Sequence, residues 1–225
     1  MNARILILGK AGRPGTAKTR LIPELGASAA HAVHLALAEA VVVRALSWSS
    51  QVHLALDPLP QQPPAWSQGA SLCAQPSGDL GERLAALSER MFAQAGTPLV
   101  ILGTDAPDLP RDRFEQACAA CARGEASICP SRDGGYNLVA LPHPIGALWE
   151  GIDWGTERVA EQTRAAADRV GVVLHETAGW EDVDTPEDLV RLRSRLADAE
   201  EAALMRLQAA LNPVRLASLK ETDRE

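Results

Sequence analysis

Short, continuously apolar runs alternate along this chain with stretches of helical length. Arg4–Leu8, Val52–Leu56, Pro98–Leu102, Ala126–Cys129, Asn137–Leu141 and Gly171–His175 read as strands. Ala27–Ser47, Leu80–Ala95, Arg113–Arg123 and Gly155–Asp168 read as helices, and Pro186–Leu211 as one long final helix. Strands without polar alternation, set between helices, mark a mostly parallel sheet covered on both faces. The expected fold class is α/β.

One pair departs from that alternation. Ala126–Cys129 and Asn137–Leu141 are separated by a few residues containing Asp133-Gly134, which predicts a hairpin or tight turn. The turn also carries Arg132 and Tyr136, the only tyrosine of the chain, which a plain connection does not need. Asp57–Ser71 holds Pro58, Pro60, Pro63 and Pro64 and reads as a surface loop. Residues 1–211 are expected to form a single domain, followed by a charged tail over 212–225.

Composition narrows the classes. The chain has 225 residues, 46% of them hydrophobic, enough for a substantial core. A net charge of −7 argues against a general nucleic-acid binder. No apolar run approaches the roughly 18 residues of a membrane span, and Met1–Leu8 is too short for a signal peptide. A cytoplasmic protein without a membrane span is the expectation. Cys118 and Cys121 have CxxC spacing but lie in an Ala-rich helical stretch without a second pair, so all four cysteines read as core fillers.

Candidate chemistry begins after the first strand, in GKAGRPGTAKTRL. Lys10, Arg13, Lys18 and Arg20 crowd a loop in which Gly9, Gly12 and Gly15 allow close backbone approach. Strand, glycine-rich basic loop and helix is a common phosphate cradle. The stretch nearly spells a P-loop, but Ala17 stands at the second required glycine and Pro23 interrupts the following helix. Acids gather elsewhere. Asp105 follows the apolar run Pro98–Leu102, at a strand end where open α/β sheets bind ligands. Asp182 and Asp184 precede Thr185-Pro186-Glu187-Asp188, a helix start whose capping explains Thr185 and Asp188 but not the two earlier acids. A carboxylate set of this kind suits Mg²⁺ or Mn²⁺.

Six motifs then occur in order: K-A-G-x-P-G-x-x-K-T-R-L, Q-P-x-G-D-L-G-E-R, G-T-D-A-P, D-G-G-Y-x-L, W-G-T and D-V-D-T-P-E-D-L. From about Ile5 to Leu192 the chain resembles the bacterial DUF2064 family of GT-A-like glycosyltransferases. That family is similar in fold to nucleotidyltransferases that activate sugars and to the guanylyltransferases of F420 and molybdopterin synthesis. The resemblance implies a Rossmann-like GT-A three-layer α/β/α sandwich with a mostly parallel mixed sheet. It implies nucleotide or phosphate contacts from Lys10, Arg13, Gly15, Lys18, Arg20, Gln75, Gly78, Asp79 and Arg83. Asp105 takes the place of the metal-binding acid, and Pro107 stands where a second acid is expected, so Asp182 or Asp184 would complete a Mg²⁺ or Mn²⁺ site. Gly134, Gly135, Tyr136, Trp154 and Thr156 would face the donor sugar or acceptor.

Glycosyl transfer needs help for the departing diphosphate and a base for the acceptor hydroxyl. With Asp105 at the cation, Asp133 is the first candidate base, then Asp182 or Asp184. The expected partners are a nucleotide sugar or NTP and a small-molecule acceptor. Two alternatives stay open: a nucleotidyltransferase that releases pyrophosphate from an NTP, and a non-catalytic nucleotide-sugar binder. The long final helix leaves room for a homodimer.

Overall fold

The computed structural model describes residues 3–94 and 97–215. Seven strands form one sheet: β1 (Arg4–Lys10), β2 (Val52–Asp57), β3 (Ser71–Ala74), β4 (Leu99–Leu102), β5 (Ala126–Pro130), β6 (Tyr136–Leu141) and β7 (Leu174–Glu176). Their order is β3-β2-β1-β4-β6-β5-β7. β6 pairs antiparallel with β4 and β5, and every other pairing is parallel. The helices are α1 (Ile22–Leu25), α2 (Ala27–Trp48), α3 (Leu80–Gln94), α4 (Arg111–Ala122), α5 (Val159–Arg169), α6 (Pro186–Leu196) and α7 (Ala202–Leu211).

Strand alternation sorts the core into two layers. Ile5, Ile7, Leu54, Leu56 and Val100 pack against α2 and α4. Leu6, Ala55, Leu99, Ile101 and Val139 pack against α3 and α5 on the opposite face. The result is the expected three-layer α/β/α sandwich. A third cluster lies outside it: Val33, Leu37 and Ala40 of α2 meet Leu189, Leu192 and Leu196 of α6 and Leu207 and Leu211 of α7. Helix α2 is thus buried on two sides, which is why it is apolar nearly all round. By length and composition it is long and apolar enough to cross a membrane, contrary to the expectation from run lengths, and 56% of its most apolar window is buried inside this fold.

Several boundaries differ from those expected. The final helix is two helices, because the chain turns at 197–201 and brings Glu201 onto Arg44 of α2, with Nε to Oε2 at 2.9 Å. Arg44 is only 5% exposed and also donates to the carbonyls of Pro107 and Leu109, so its position is fixed. α7 therefore packs on α2 of its own chain. Within the predicted loop Asp57–Ser71, the chain reaches a strand at its end, β3, too short and exposed to show a pattern. α5 starts at Val159, four residues later than expected, and β7 at Leu174, three residues later, after a turn in which Gly171 adopts φ +70°. Ala95, the expected end of α3, and most of the expected tail (216–225) lie outside the described residues.

What matters for function is the edge at which β1, β2, β3 and β4 end. All four point the same way, so the segments after Lys10, Asp57, Ala74 and Leu102 converge there.

Candidate nucleotide cleft

A cleft of about 740 Å³ opens at that edge. One wall is the loop after β1, including Lys10, Lys18 and Arg20, and another is the end of β4 with Thr104 and Asp105. Gln75, Gly78, Asp79 and Arg83 form the third, and Asp184 reaches in from the C-terminal region. Backbone pairing brings the two acidic stretches together: the Val183 N–H donates to the Asp105 carbonyl at 2.9 Å. Downstream, the Thr185 cap of α6 is a full capping box with Asp188, whose carboxylate also accepts from the Asp184 N–H at 3.0 Å. Asp184 is thereby held at a helix entrance.

Lys18 is the hinge of this arrangement. It adopts φ +51°, ψ +43°, the one non-glycine among the described residues with positive φ. Its side chain is buried, and Nζ sits 2.5 Å from Asp105 Oδ1 and 3.4 Å from Asp184 Oδ1. Arg20 donates to the other oxygen of Asp184 at 2.9 Å. The helix of a P-loop does not follow; Thr19–Leu21 is one 3-10 turn leading to the four-residue α1.

The remaining predicted contacts divide. Lys10 is exposed in the cleft, while Arg13 and Gly15 do not line it. Arg13 closes a turn with Thr16, accepting the Thr16 N–H at 3.0 Å, and Gly15 lies exposed nearby. Gln75 lines the cleft, but its amide nitrogen is committed to the Gly9 and Ala55 carbonyls, tying β1 to β2. Its oxygen accepts from Arg83 at 3.2 Å, and Arg83 also pairs with Asp57 at 2.8 Å. Asp79 and Glu82 cap each other's backbone N–H at 2.9 Å, which is a complete structural role. Gly78, at φ +115°, leaves space that Glu82 fills: a Cβ there would lie 2.3 Å from its carboxylate.

Sequence reasoning missed His34, which is buried beside the cleft and whose Nε2 donates to the Lys10 carbonyl at 2.8 Å. Burial lowers its pKa, which keeps the ring neutral in this role. Asp57 was also missed. Nothing local in the sequence pairs it with Arg83; only the β1–β2–β3 pairing does.

A second pocket of about 480 Å³ adjoins the first and shares Leu8, Arg20, Leu80, Gly103, Asp105 and Asp184 with it. Asp133, Tyr136, Trp154, Thr156 and Asp182 line it. The Asp133 carboxylate accepts from the Gly135 N–H at 2.9 Å and from the Ser131 hydroxyl. Burial, then the charge of Asp133, pushes Asp182 up to about 6. Three expectations for this turn need correction. Gly134 does not open space for a substrate: at φ +88°, its missing Cβ admits the Glu157 backbone, whose oxygen would lie 2.0 Å from it. Gly135 gives its N–H to Asp133. The Tyr136 hydroxyl is buried beside Thr163 of α5, so it does not face a ligand. Thr156 donates to the Asp153 carbonyl at 2.8 Å and is not the cap of α5, a position Arg158 occupies. Trp154 is half-buried against the fully packed Trp149, with ring centroids 6.5 Å apart.

Among the described residues, no group of three or more His, Cys, Asp or Glu side chains could hold a metal ion. Asp182 opens on the second pocket, and Asp108, next to the missing second acid, is turned away in an ion pair with Arg195 at 2.6 Å. Asp105 and Asp184, however, approach one Lys18 nitrogen together. An ion of the Mg²⁺ type needs only one or two carboxylates when phosphate and water complete its shell, so this pair fits such an ion.

The fold and sequence have relatives. The chain is similar to a crystal structure from Desulfovibrio desulfuricans G20, provisionally named a nucleotide-diphospho-sugar transferase. Identity is 26%, the TM-score is 0.82, and the match covers 93% of this chain and 95% of that one. In fold it is also similar to CMP:2-keto-3-deoxy-manno-octonic acid synthetase complexed with CTP, at 13% identity and TM-score 0.54, over 88% of this chain and 99% of that one. A cytidylyltransferase from Leptospira borgpetersenii serovar Hardjo-bovis matches at 13% identity and TM-score 0.53, over 95% and 94%. No curated protein matches significantly by sequence. Residues 27–156 match the family described as an uncharacterized protein conserved in bacteria, DUF2064. That match spans more than half of the sequence, and the chain belongs to the DUF2064 family.

Proposed function

We propose that this protein is a divalent-cation-dependent glycosyltransferase that moves a sugar from a nucleotide-diphospho-sugar to a small hydroxyl-bearing acceptor. The observation that carries the reading is the continuity of two pockets of different chemistry. The basic cleft of Lys10, Lys18 and Arg20 suits a diphosphate. The adjoining pocket offers the carboxylates of Asp133 and Asp182 and the Trp154 ring, a surface suited to a sugar and an attacking hydroxyl. Asp105 and Asp184 stand where the two meet, where the sugar–phosphate bond would lie.

In this reading the acceptor oxygen loses its proton to Asp182 or Asp133 and bonds to the sugar's anomeric carbon. The bond from that carbon to the diphosphate oxygen breaks, and the nucleoside diphosphate leaves with the electron pair. Lys18 and Arg20 stabilise the charge that develops on the leaving group. A Mg²⁺ or Mn²⁺ ion held by Asp105 and Asp184 would add Lewis-acid stabilisation of the same oxygens. Asp182, raised to about 6, is suited to accept a proton near neutral pH and release it afterwards.

A second reading, nucleotidyl transfer from an NTP, is favoured by the fold shared with the synthetase that was crystallised with CTP. One panel separates the two. Incubation with Mn²⁺ and either nucleotide sugars or NTPs, with acceptors, is followed by product analysis. Release of a nucleoside diphosphate supports glycosyl transfer. Pyrophosphate from an NTP supports the second reading and overturns the first.

A further inference from the structure

A separate basin of about 460 Å³ lies against the reaction pocket, lined by Pro130, Ser131, Arg132, Trp180, Glu181 and Arg195 among others. A two-stranded wall divides it from the reaction pocket. Ser131 bridges in parallel to Trp180, and the Trp180 N–H donates to the Pro130 carbonyl at 2.9 Å. Past the bridge, Arg132 and Glu181 line the basin, while their chain neighbours Asp133 and Asp182 line the reaction pocket; Ser131 touches both.

The basin is built from fixed parts. The Trp180 indole donates to Asp108 at 3.2 Å, and its carbonyl accepts from Asn137 at 3.0 Å. Arg195 sits over the ring, 5.5 Å from its centroid, and is committed to Asp108 at 2.6 Å and Glu181 at 2.7 Å. Arg191 is likewise committed, to Glu181 and Asp188. Arg132 differs. Its side chain is 68% exposed and, among the described residues, forms an ion pair only with Glu181 Oε1, at 3.9 Å. A loosely held guanidinium beside a clamped indole is suited to a flat molecule carrying a carboxylate or phosphate.

We propose that this basin binds the acceptor, a small molecule whose flat, largely apolar body lies against the stacked Trp180 and Arg195 and whose anionic group pairs with Arg132. Its hydroxyl would reach past Ser131 to the carboxylates across the wall. The assignment rests on the glycosyltransferase reading for the word acceptor, but its test is direct binding and does not need turnover.

The experiment titrates the full-length protein with benzoate, phenyl phosphate and uncharged benzyl alcohol, by calorimetry or ligand-observed NMR. It uses the wild type, Arg132→Ala, and Lys10→Ala as a control in the nucleotide cleft. The expected result is that Arg132→Ala weakens an anionic probe on the order of tenfold, leaves benzyl alcohol unchanged, and keeps the wild-type melting temperature. Whether benzoate or phenyl phosphate binds more tightly identifies the anion. The inference is overturned if neither anionic probe binds, if Arg132→Ala leaves their affinity unchanged, or if Lys10→Ala alone weakens them. Failure of the nucleotide reading would show separately, as absent binding of nucleotide sugars.

Discussion

The Lys18 ammonium lies 2.5 Å from Asp105 Oδ1 although 87 residues separate them, and it also approaches Asp184. A buried cation from the first loop thus holds one carboxylate from the middle of the chain and one from its C-terminal part. On the proposed reading, the lysine would hold the ion's place between the carboxylates until a diphosphate attracts it away. Lys18→Met should therefore bind Mn²⁺ alone more tightly than the wild type, and bind nucleoside diphosphate at least about tenfold more weakly. Electron paramagnetic resonance of Mn²⁺ and calorimetry read the two effects. Weaker Mn²⁺ binding by the variant would reject the exchange.

Asp105→Ala tests the other half of the pair. The Asp105 side chain is 48% exposed, and the buried Lys18 ammonium keeps Asp184 at 3.4 Å without it, so the loss of Asp105 costs little folding stability. The variant should lose cation-dependent nucleotide binding and keep its melting temperature within a few degrees. A large fall in melting temperature would make Asp105 a structural residue.

The pH dependence follows from Asp182. Its carboxyl is pushed up to about 6 by burial and then by Asp133. Below the ordinary value near 3.8 it is protonated in both the folded and the unfolded chain. As pH rises from there to about 6, the unfolded chain releases its proton first, so the wild type loses stability across that window. Asp182→Asn should be more stable than the wild type above pH 6 and indistinguishable near pH 4. Asp133→Asn should lower the Asp182 titration seen by carboxyl NMR. No movement would mean that the two acids do not sense each other.

Two glycines make a contrast. Gly134→Ala places a Cβ against the Glu157 backbone at positive φ and should destabilise the protein by about 2 kcal/mol or more. Gly15→Ala also carries positive φ, but the added Cβ meets nothing within 4 Å, so about 1 kcal/mol is expected. Chemical denaturation measures both; equal costs would contradict the packing of the turn on α5.

The layered sheet was legible because β1, β2, β4, β5 and β6 are short, apolar and buried, which leaves a clear pattern. β3 and β7 are partly exposed sheet edges of four and three residues, and that brevity hid the first and blurred the second. The split of the last helix depended on Arg44, an ion-pair partner 157 residues from Glu201 that no local rule connects. Within the site, charge density pointed to Lys18 and Arg20, and the strand-end position pointed to Asp105. The roles of Gln75 and Gly134 depend on carbonyls and backbone contributed by distant strands and helices, so residue type alone pointed to ligand contacts that the fold uses for itself. The capping residues were the reverse case: Thr185 and Asp188 are local chemistry and were readable as such.

The central claim is that the β1 loop and the strand-end acids form one pocket for a diphosphate and its cation. Anomalous diffraction from crystals soaked with Mn²⁺ and a nucleoside diphosphate tests it most directly. The account predicts a manganese peak between Asp105 and Asp184, with the diphosphate against Lys18 and Arg20. Manganese or diphosphate bound away from these four side chains would contradict it.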